Sequence, residues 1–290
     1  MKQRQNVVLV GGDVRQGYLG KLLAERGMKV TAVGVERHGF GDWFPFVRDV
    51  REACAAADVV LLPLPVMRER GLLNAPLANV PFRMTDVLDD IPAGMPVFGG
   101  SVPQMVHDMA KRRELRIRDY LAREELALRN AIPTAEGTIQ IAMEELPVTV
   151  HGLPVLVIGN GRIGSALAAR LAGLGAKVTV SARKYEDFAR IAGQGYAYVD
   201  TRRLAGTLEQ YGLIVNTVPA TVLTPALVSE CRKDVLLIDL ASGKGGIDPS
   251  AHSLRKCIHA LSLPGKVAPV TAAADICETV THMMEEEHLL

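Results

Sequence analysis

Val155-Leu156-Val157-Ile158-Gly159-Asn160-Gly161-Arg162-Ile163-Gly164 is the segment on which the architecture turns. Four aliphatic residues in a row read as a strand buried on both faces. A G-x-G-x-x-G run follows at once, and Ala168, Leu171 and Leu174 then recur at helical spacing up to Gly175, a natural stop. Gly159 permits a tight turn, Gly161 lets the backbone approach a pyrophosphate, and Gly164 lets the helix lie close on the strand. The start of that helix offers unpaired N–H groups and the positive end of its dipole to phosphate. With a strand before it and a helix after it, the run predicts dinucleotide binding by Gly159, Asn160, Gly161, Arg162, Ile163 and Gly164 rather than a merely structural turn.

The residues that follow address which nucleotide. Val178-Thr179-Val180 reads as the second strand and runs into Ser181-Ala182-Arg183-Lys184. An NAD site ends this strand with Asp or Glu on the ribose hydroxyls. Here the acid is missing, and a hydroxyl and two cations stand where a 2′-phosphate would lie. Ser181, Arg183 and Lys184 therefore predict NADP, with exposed turn charges as the bland alternative. Farther on, Leu213-Ile214-Val215 ends in Asn216-Thr217-Val218-Pro219, and an apolar run over 235–238 ends in Asp239-Leu240-Ala241-Ser242-Gly243-Lys244-Gly245-Gly246. Ligands of open α/β sheets bind beyond the carboxyl ends of strands. Thr217 and Pro219 are thus expected beside the nicotinamide, and Ser242 and Lys244 facing a cleft. Asn216 and Asp239 suit the bracing of turns at least as well as ligand binding.

The first half shows the same alternation. Val7-Val8-Leu9-Val10 precedes Gly11-Gly12-Asp13, and a helix through Leu19, Leu22 and Leu23 runs to Gly27. Strands are read at 29–33 and 59–62, a helix at 53–57, and Pro96-Val97-Phe98 before Gly99-Gly100, with Ser101 as a candidate helix cap. Strand, helix and strand again implies parallel strands with crossover helices. The expected class is α/β, two Rossmann-like domains with parallel sheets arranged as in D-2-hydroxyacid dehydrogenases. An N-terminal domain for substrate or subunit contact is expected over 1–128, joined by a C-terminal helix over 271–290. An interdomain helical segment covers 129–149, broken at Pro133 with Thr134 as N-cap and Glu136 in the first turn. The NADP-binding domain covers 150–270. The first domain lacks the G-x-G-x-x-G spacing, so no second dinucleotide is expected there. Arg15 and Gln16 at the mouth of its sheet suit a carboxylate-bearing ligand.

Composition excludes other classes. Hydrophobic residues make up 48% and charged residues 22% of 290, a globular balance with ample core. A formal charge of +1 gives no bulk attraction to nucleic acid or an anionic membrane. Cys54, Cys231, Cys257 and Cys277 lie far apart without a C-x-x-C pair, so neither a metal site nor a disulfide framework is expected. No apolar run approaches the roughly 18 residues needed to span a bilayer. Met1-Lys2-Gln3-Arg4-Gln5-Asn6 leads straight into a strand where a signal peptide would need an apolar region. A cytoplasmic protein is expected.

Taken together, Gly11-Gly12-Asp13 with Arg15-Gln16, Leu62-Pro63-Leu64-Pro65, Asn130-Ala131-Ile132-Pro133-Thr134-Ala135-Glu136-Gly137, the loop from Gly159 to Gly164, Asn216-Thr217-Val218-Pro219, Asp239-Leu240-Ala241-Ser242 and Leu263-Pro264-Gly265-Lys266-Val267-Ala268-Pro269 carry a resemblance. Over nearly its whole length the chain resembles the A-subunit of the dipicolinate synthases of spore-forming bacteria. The Pro-Thr-Ala-Glu-Gly and Leu-Pro-Gly runs are far more specific than the glycine loop. The resemblance implies sporulation chemistry: conversion of the dihydrodipicolinate synthase product, a hydroxylated tetrahydropyridine dicarboxylate, into dipicolinate. It implies loss of water, a two-electron oxidation with NADP as hydride acceptor, and partnership with the flavoprotein-like B-subunit of dipicolinate synthase. A homo-oligomer is expected as well. On this reading Arg15 with Lys244 or Lys266 takes the substrate carboxylates, Thr134 and Ser242 donate hydrogen bonds, and Glu136 is the candidate proton acceptor. Two departures stand out. Gly243-Lys244 occupies places where the family's Asp-Leu-Ala-Ser run leads to a proline, and Val270 stands where the family has lysine, a loss that Lys244 would offset.

Two rival readings compete. A D-2-hydroxyacid dehydrogenase needs a His general acid–base with a carboxylate partner and an Arg on the substrate. Of His38, His107, His151, His252, His259, His282 and His288, only His259 stands near a candidate strand end. A non-catalytic nucleotide-sensing subunit would keep the phosphate loop and lose the substrate ligands, as Val270 weakly hints.

Overall fold

The computed structural model describes residues 5–36 and 39–290. Met1–Arg4 and His38, read above, lie outside the described residues. The chain divides into two units, Met1–Arg129 with Ala268–Leu290, and Asn130–Val267.

The first unit has strands β1 (Asn6–Val10), β2 (Lys29–Val33), β3 (Val59–Leu61), β4 (Pro96–Gly99) and β5 (Arg116–Asp119), interleaved with helices α1 (Val14–Glu25), α2 (Val50–Cys54), α3 (Met84–Asp90) and α4 (Gln104–Lys111). Helix α5 (Glu124–Glu145) follows. The second unit then carries β6 (Pro154–Ile158), α6 (Arg162–Gly173), β7 (Lys177–Ala182), α7 (Tyr185–Gly193), β8 (Ala197–Asp200), β9 (Leu213–Asn216), α8 (Pro225–Glu230), β10 (Leu236–Asp239), β11 (Lys256–His259) and α9 (Leu263–Val267). Helix α10 (Pro269–Glu286) closes the chain and packs on α1.

Both sheets are wholly parallel, in the orders β2-β1-β3-β4-β5 and β11-β10-β9-β6-β7-β8. Parallel strands need helical crossovers that cover both faces, which is why β1 and β6 are apolar without a break. Alternate side chains of β6 go to opposite faces. Val155 and Val157 join one buried cluster with Leu167 and Leu171, and Leu156 and Ile158 join another with Leu204, Leu208 and Val228. In each unit the strand order reverses beside the first strand, opening a crevice at its carboxyl end.

The helical segment differs from expectation. α5 is one helix through Pro133, beginning at Glu124, so Thr134 caps nothing and Glu136 lies mid-helix. Proline removes the backbone donor that would reach the Arg129 carbonyl, and the Thr134 and Thr138 hydroxyls turn back onto the Asn130 and Thr134 carbonyls, both at 2.7 Å. Tertiary packing of the buried side chains of Ala131, Ala135 and Ala142 sustains the helix against the proline. Residues 124–129 of α5 belong to the first unit, the rest to the second, and residues 268–270 go with the first. Ser101 is no cap either. It sits at φ 55° with its N–H given to Asp119, and α4 starts after Pro103. Strands β5 and β8, short and edge-lying, are not legible in the apolar pattern. No helix among the described residues is long and apolar enough to cross a membrane.

Candidate functional site

A cavity of about 450 Å³ opens at the carboxyl ends of β6, β7 and β9. Gly159, Asn160 and Gly161 form one wall, Ala182, Arg183, Lys184, Asp187 and Thr201 a second, and the loop from Thr217 to Val222 a third. Gly159 takes φ +100°, and a Cβ there would lie 2.6 Å from the Thr217 hydroxyl. A Cβ on Gly164 would lie 2.0 Å from the Gly159 carbonyl oxygen, so the helix reaches the strand only because both are glycine. Gly161 has nothing within 4 Å of such a Cβ, which leaves the backbone open to a ligand. Asn160 accepts from Ser165 at 3.0 Å, while its buried Nδ2 has no partner. A buried donor without an acceptor, beside open glycine backbone at the start of an α-helix, fits an anionic pyrophosphate. Arg162 and Ile163 open that helix, Arg162 exposed and Ile163 half-buried.

The residues expected to select the nucleotide are placed unequally. Arg183 and Lys184 line the cavity and are exposed, and Lys184 pairs with Glu186 at 3.5 Å. Among the described residues no carboxylate pairs with Arg183. Ser181 stands behind the wall. It is fully buried, and Thr201 donates to it at 2.9 Å. Thr201 occupies the wall instead, and the sequence pattern alone does not single it out. Tyr196-Ala197-Tyr198-Val199 after the helix stop at Gly195 carries no apolar–polar alternation to mark β8, so the turn that follows it is not legible either. No acid ends β7, since Ala182 is its last residue.

Thr217 and Pro219 line the cavity, with the Thr217 hydroxyl donating to the Ile158 carbonyl at 2.9 Å. Asn216 and Asp239 brace the rim. Both are buried, and Asn216 Nδ2 donates to Asp239 at 2.8 Å and to the Val218 carbonyl at 3.0 Å. Asp239 also accepts from the backbone N–H groups of Ala241, Gly246 and Ile247. That carboxylate closes the turn after β10, and its neighbours Ser242 and Lys244 project to solvent. His259, at the end of β11, holds the Ala241 carbonyl at 2.8 Å.

The remaining candidates stand in other settings. Glu136 is exposed and faces Arg170 of α6 at 3.6 Å. Thr134 is buried and spends its hydroxyl on its own helix. Lys266 is exposed on α9. In the first unit Arg15 is buried and held by both oxygens of Asp13, and its Nη2 donates to the Leu64 carbonyl at 2.6 Å. Gln16 donates to the Leu61 carbonyl at 2.9 Å. Val270 is 52% exposed in the first turn of α10. Among the described residues no cluster of three metal-ligating side chains occurs.

Residues 6–121 match the family model of the N-terminal domain of the dipicolinate synthase A-subunit. Residues 126–247 match that of the NAD binding domain of D-isomer specific 2-hydroxyacid dehydrogenases. The dipicolinate synthase A-subunit of Bacillus subtilis (strain 168) is 30% identical, with 97% of this chain and 96% of that protein covered. The crystal structure of the dipicolinate synthase A-subunit from Bacillus halodurans superposes with a TM-score of 0.90 at 30% identity, covering 97% of each chain. A transhydrogenase from Sinorhizobium meliloti, 13% identical with a TM-score of 0.73 over 97% of this chain and 94% of its own, shares the fold. The chain belongs to the family of dipicolinate synthase A-subunits, and its second unit is a nicotinamide-dinucleotide-binding domain of dehydrogenase type.

Proposed function

We propose that this chain is the NADP-linked oxidoreductase subunit of dipicolinate synthase, working with the flavoprotein-like B-subunit. The observation that carries the cofactor is the cavity wall at the end of β7, where Arg183 faces a nucleotide site that has no acid on that strand. The substrate is the hydroxylated tetrahydropyridine dicarboxylate, which loses water and then a hydride and a proton to give pyridine-2,6-dicarboxylate. When bound, NADP supplies acceptance of that hydride. The glycine loop binds the pyrophosphate, and Arg183 and Lys184 bind the 2′-phosphate. Thr217 and Pro219 form the wall along which the nicotinamide lies. In the second unit Lys244 or Lys266 receives a carboxylate, Ser242 donates a hydrogen bond and Glu136 takes the proton, while the Thr134 hydroxyl, spent on the Asn130 carbonyl, is no longer a donor. In the first unit Arg15, fixed in place by Asp13, suits a carboxylate-bearing ligand. Aromaticity of the product supplies driving force, so orientation is the main demand on the protein.

NADP reduction by the purified chain, supplied with freshly made dihydrodipicolinate synthase product with and without the B-subunit, tests the proposal. Dipicolinate formed by this chain alone places hydride transfer here, and turnover only with the partner makes the site a shared one. No turnover in either case sinks the reading. Lys244→Ala should lose at least about tenfold in kcat/KM while NADP still binds, and full activity would remove Lys244 from the site.

A further inference from the structure

The NADP reading leaves one charge unexplained. An acid at the end of the second strand of such a sheet selects NAD by binding the ribose hydroxyls and repelling a 2′-phosphate. Ala182 ends that strand here, but the register pairs Ala182 with Asp200, the last residue of β8. A carboxylate thus stands at the same carboxyl edge, displaced by one strand, and Thr201 beside it lines the cavity. Asp200 is ionised at neutral pH, since hydrogen bonds from Arg202 hold its carboxyl down at about 2. Left alone, it would repel a 2′-phosphate.

It is not left alone. Arg202 grips both carboxylate oxygens, Nε at 3.0 and 3.2 Å and Nη2 at 2.8 Å. The same Nη2 donates to the Arg183 carbonyl at 3.3 Å, tying the clamp to the loop that carries the cavity's cations. Asp187, the acid that lines the wall itself, is met by Arg190 at 2.8 Å. Among the described residues, each carboxylate of this wall and its edge therefore has its own cation, while Arg183 has none to neutralise.

We propose that Arg202 is a specificity-determining residue that admits the 2′-phosphate by neutralising Asp200 and holding the Arg183 loop. It acts through Asp200 and Arg183 and is a positioning residue. The inference rests on the NADP reading.

Dissociation constants of NADP and NAD for the full chain, measured by titration calorimetry, test both in a way that separates them. A wild-type protein without preference for NADP overturns the reading itself, whatever Arg202 does. Given that preference, Arg202→Ala should reduce it by about tenfold with NAD affinity little changed, the effect of one unmasked charge near a doubly charged phosphate. Arg202→Lys should retain it, and Arg202→Ala with Asp200→Asn should restore it. An Arg202→Ala protein that keeps full preference overturns the inference, as does equal weakening of both nucleotides. Failure of Asp200→Asn to restore any preference would overturn neutralisation of Asp200 as the cause. Asp200→Asn alone leaves the arginine in place and should keep or raise the preference. A fall in that variant also counts against the proposal.

Discussion

Gly161 and Gly164, three residues apart in one loop, make opposite demands on the chain. A side chain at Gly161 meets open space, so Gly161→Val should fold normally and lose nucleotide affinity by at least about tenfold, because the branch enters the pyrophosphate's place. Gly164→Ala drives a methyl into the Gly159 carbonyl, and about 1–3 kcal/mol of stability should go with it. Thermal melts with and without NADP separate the two, and a Gly161→Val protein that binds normally would refute the loop assignment. Asp239 acts at the same scale through burial. Asp239→Ala leaves three backbone N–H groups and one of the two Asn216 amide hydrogens without an acceptor, so denaturant unfolding should show a loss of about 3–5 kcal/mol. A loss below about 1 kcal/mol would mean the turn after β10 is not held by this carboxylate.

Helix α10 shows how an element far along the chain joins a core built at its start. Ile276, Cys277, Val280, Met283 and Met284 enter the buried cluster of Val7, Leu9 and Leu19. Around that apolar face, Glu286 meets Arg123 at 2.8 Å and Arg118 at 3.0 Å, Glu287 meets Arg118 at 2.9 Å, and Arg26 reaches Glu278. The hydrogen bond from Arg123, then that from Arg118, holds the Glu286 carboxyl down at about 2. A depressed carboxylate stabilises the fold fully above its unfolded value of about 4.3, and the contribution disappears as pH falls through about 2. Asp275, raised by burial, acts in the opposite sense. Glu286→Gln should therefore lower stability at neutral pH, where the contribution is fully present, flatten part of the acid loss between those two pH values, and match the wild type near pH 2. Urea midpoints across that window check it, and identical curves for variant and wild type would show that the clasp contributes nothing. The helix itself is expected from the chain's architecture. The arginines it meets, on β5 and just before α5, are not legible because they are remote in sequence.

Across the molecule, Cys54, Cys231 and Cys277 are buried and Cys257 is half-buried, and desolvation lowers the reactivity of all four. Cys54, Cys231 and Cys257 have thiols pushed up to about 11, mainly by desolvation, and Cys277 is raised for the same reason. At neutral pH the thiolate fraction of the first three is about one part in ten thousand. A thiol reagent should thus label none of them quickly in the native protein and all four in denaturant, in step with loss of helical signal. Rapid labelling of one native thiol would point to local opening of its unit.

The order of residues along the chain is enough to specify the two parallel-sheet α/β units, the phosphate loop and the missing acid at the end of β7. Those features are local: an apolar run, a glycine spacing, the residue that ends a strand. Folding in three dimensions was needed to put Ser181 behind the cavity wall and Thr201 in it, Asp200 beside Ala182 under the grip of Arg202, and Asp239 on backbone rather than ligand. Each depends on which strand becomes the neighbour of which, a pairing across 18 residues in β7 and β8 and across 23 between Asn216 and Asp239. Pro133 makes the same point in reverse. Local propensity breaks a helix there, but buried packing keeps it whole.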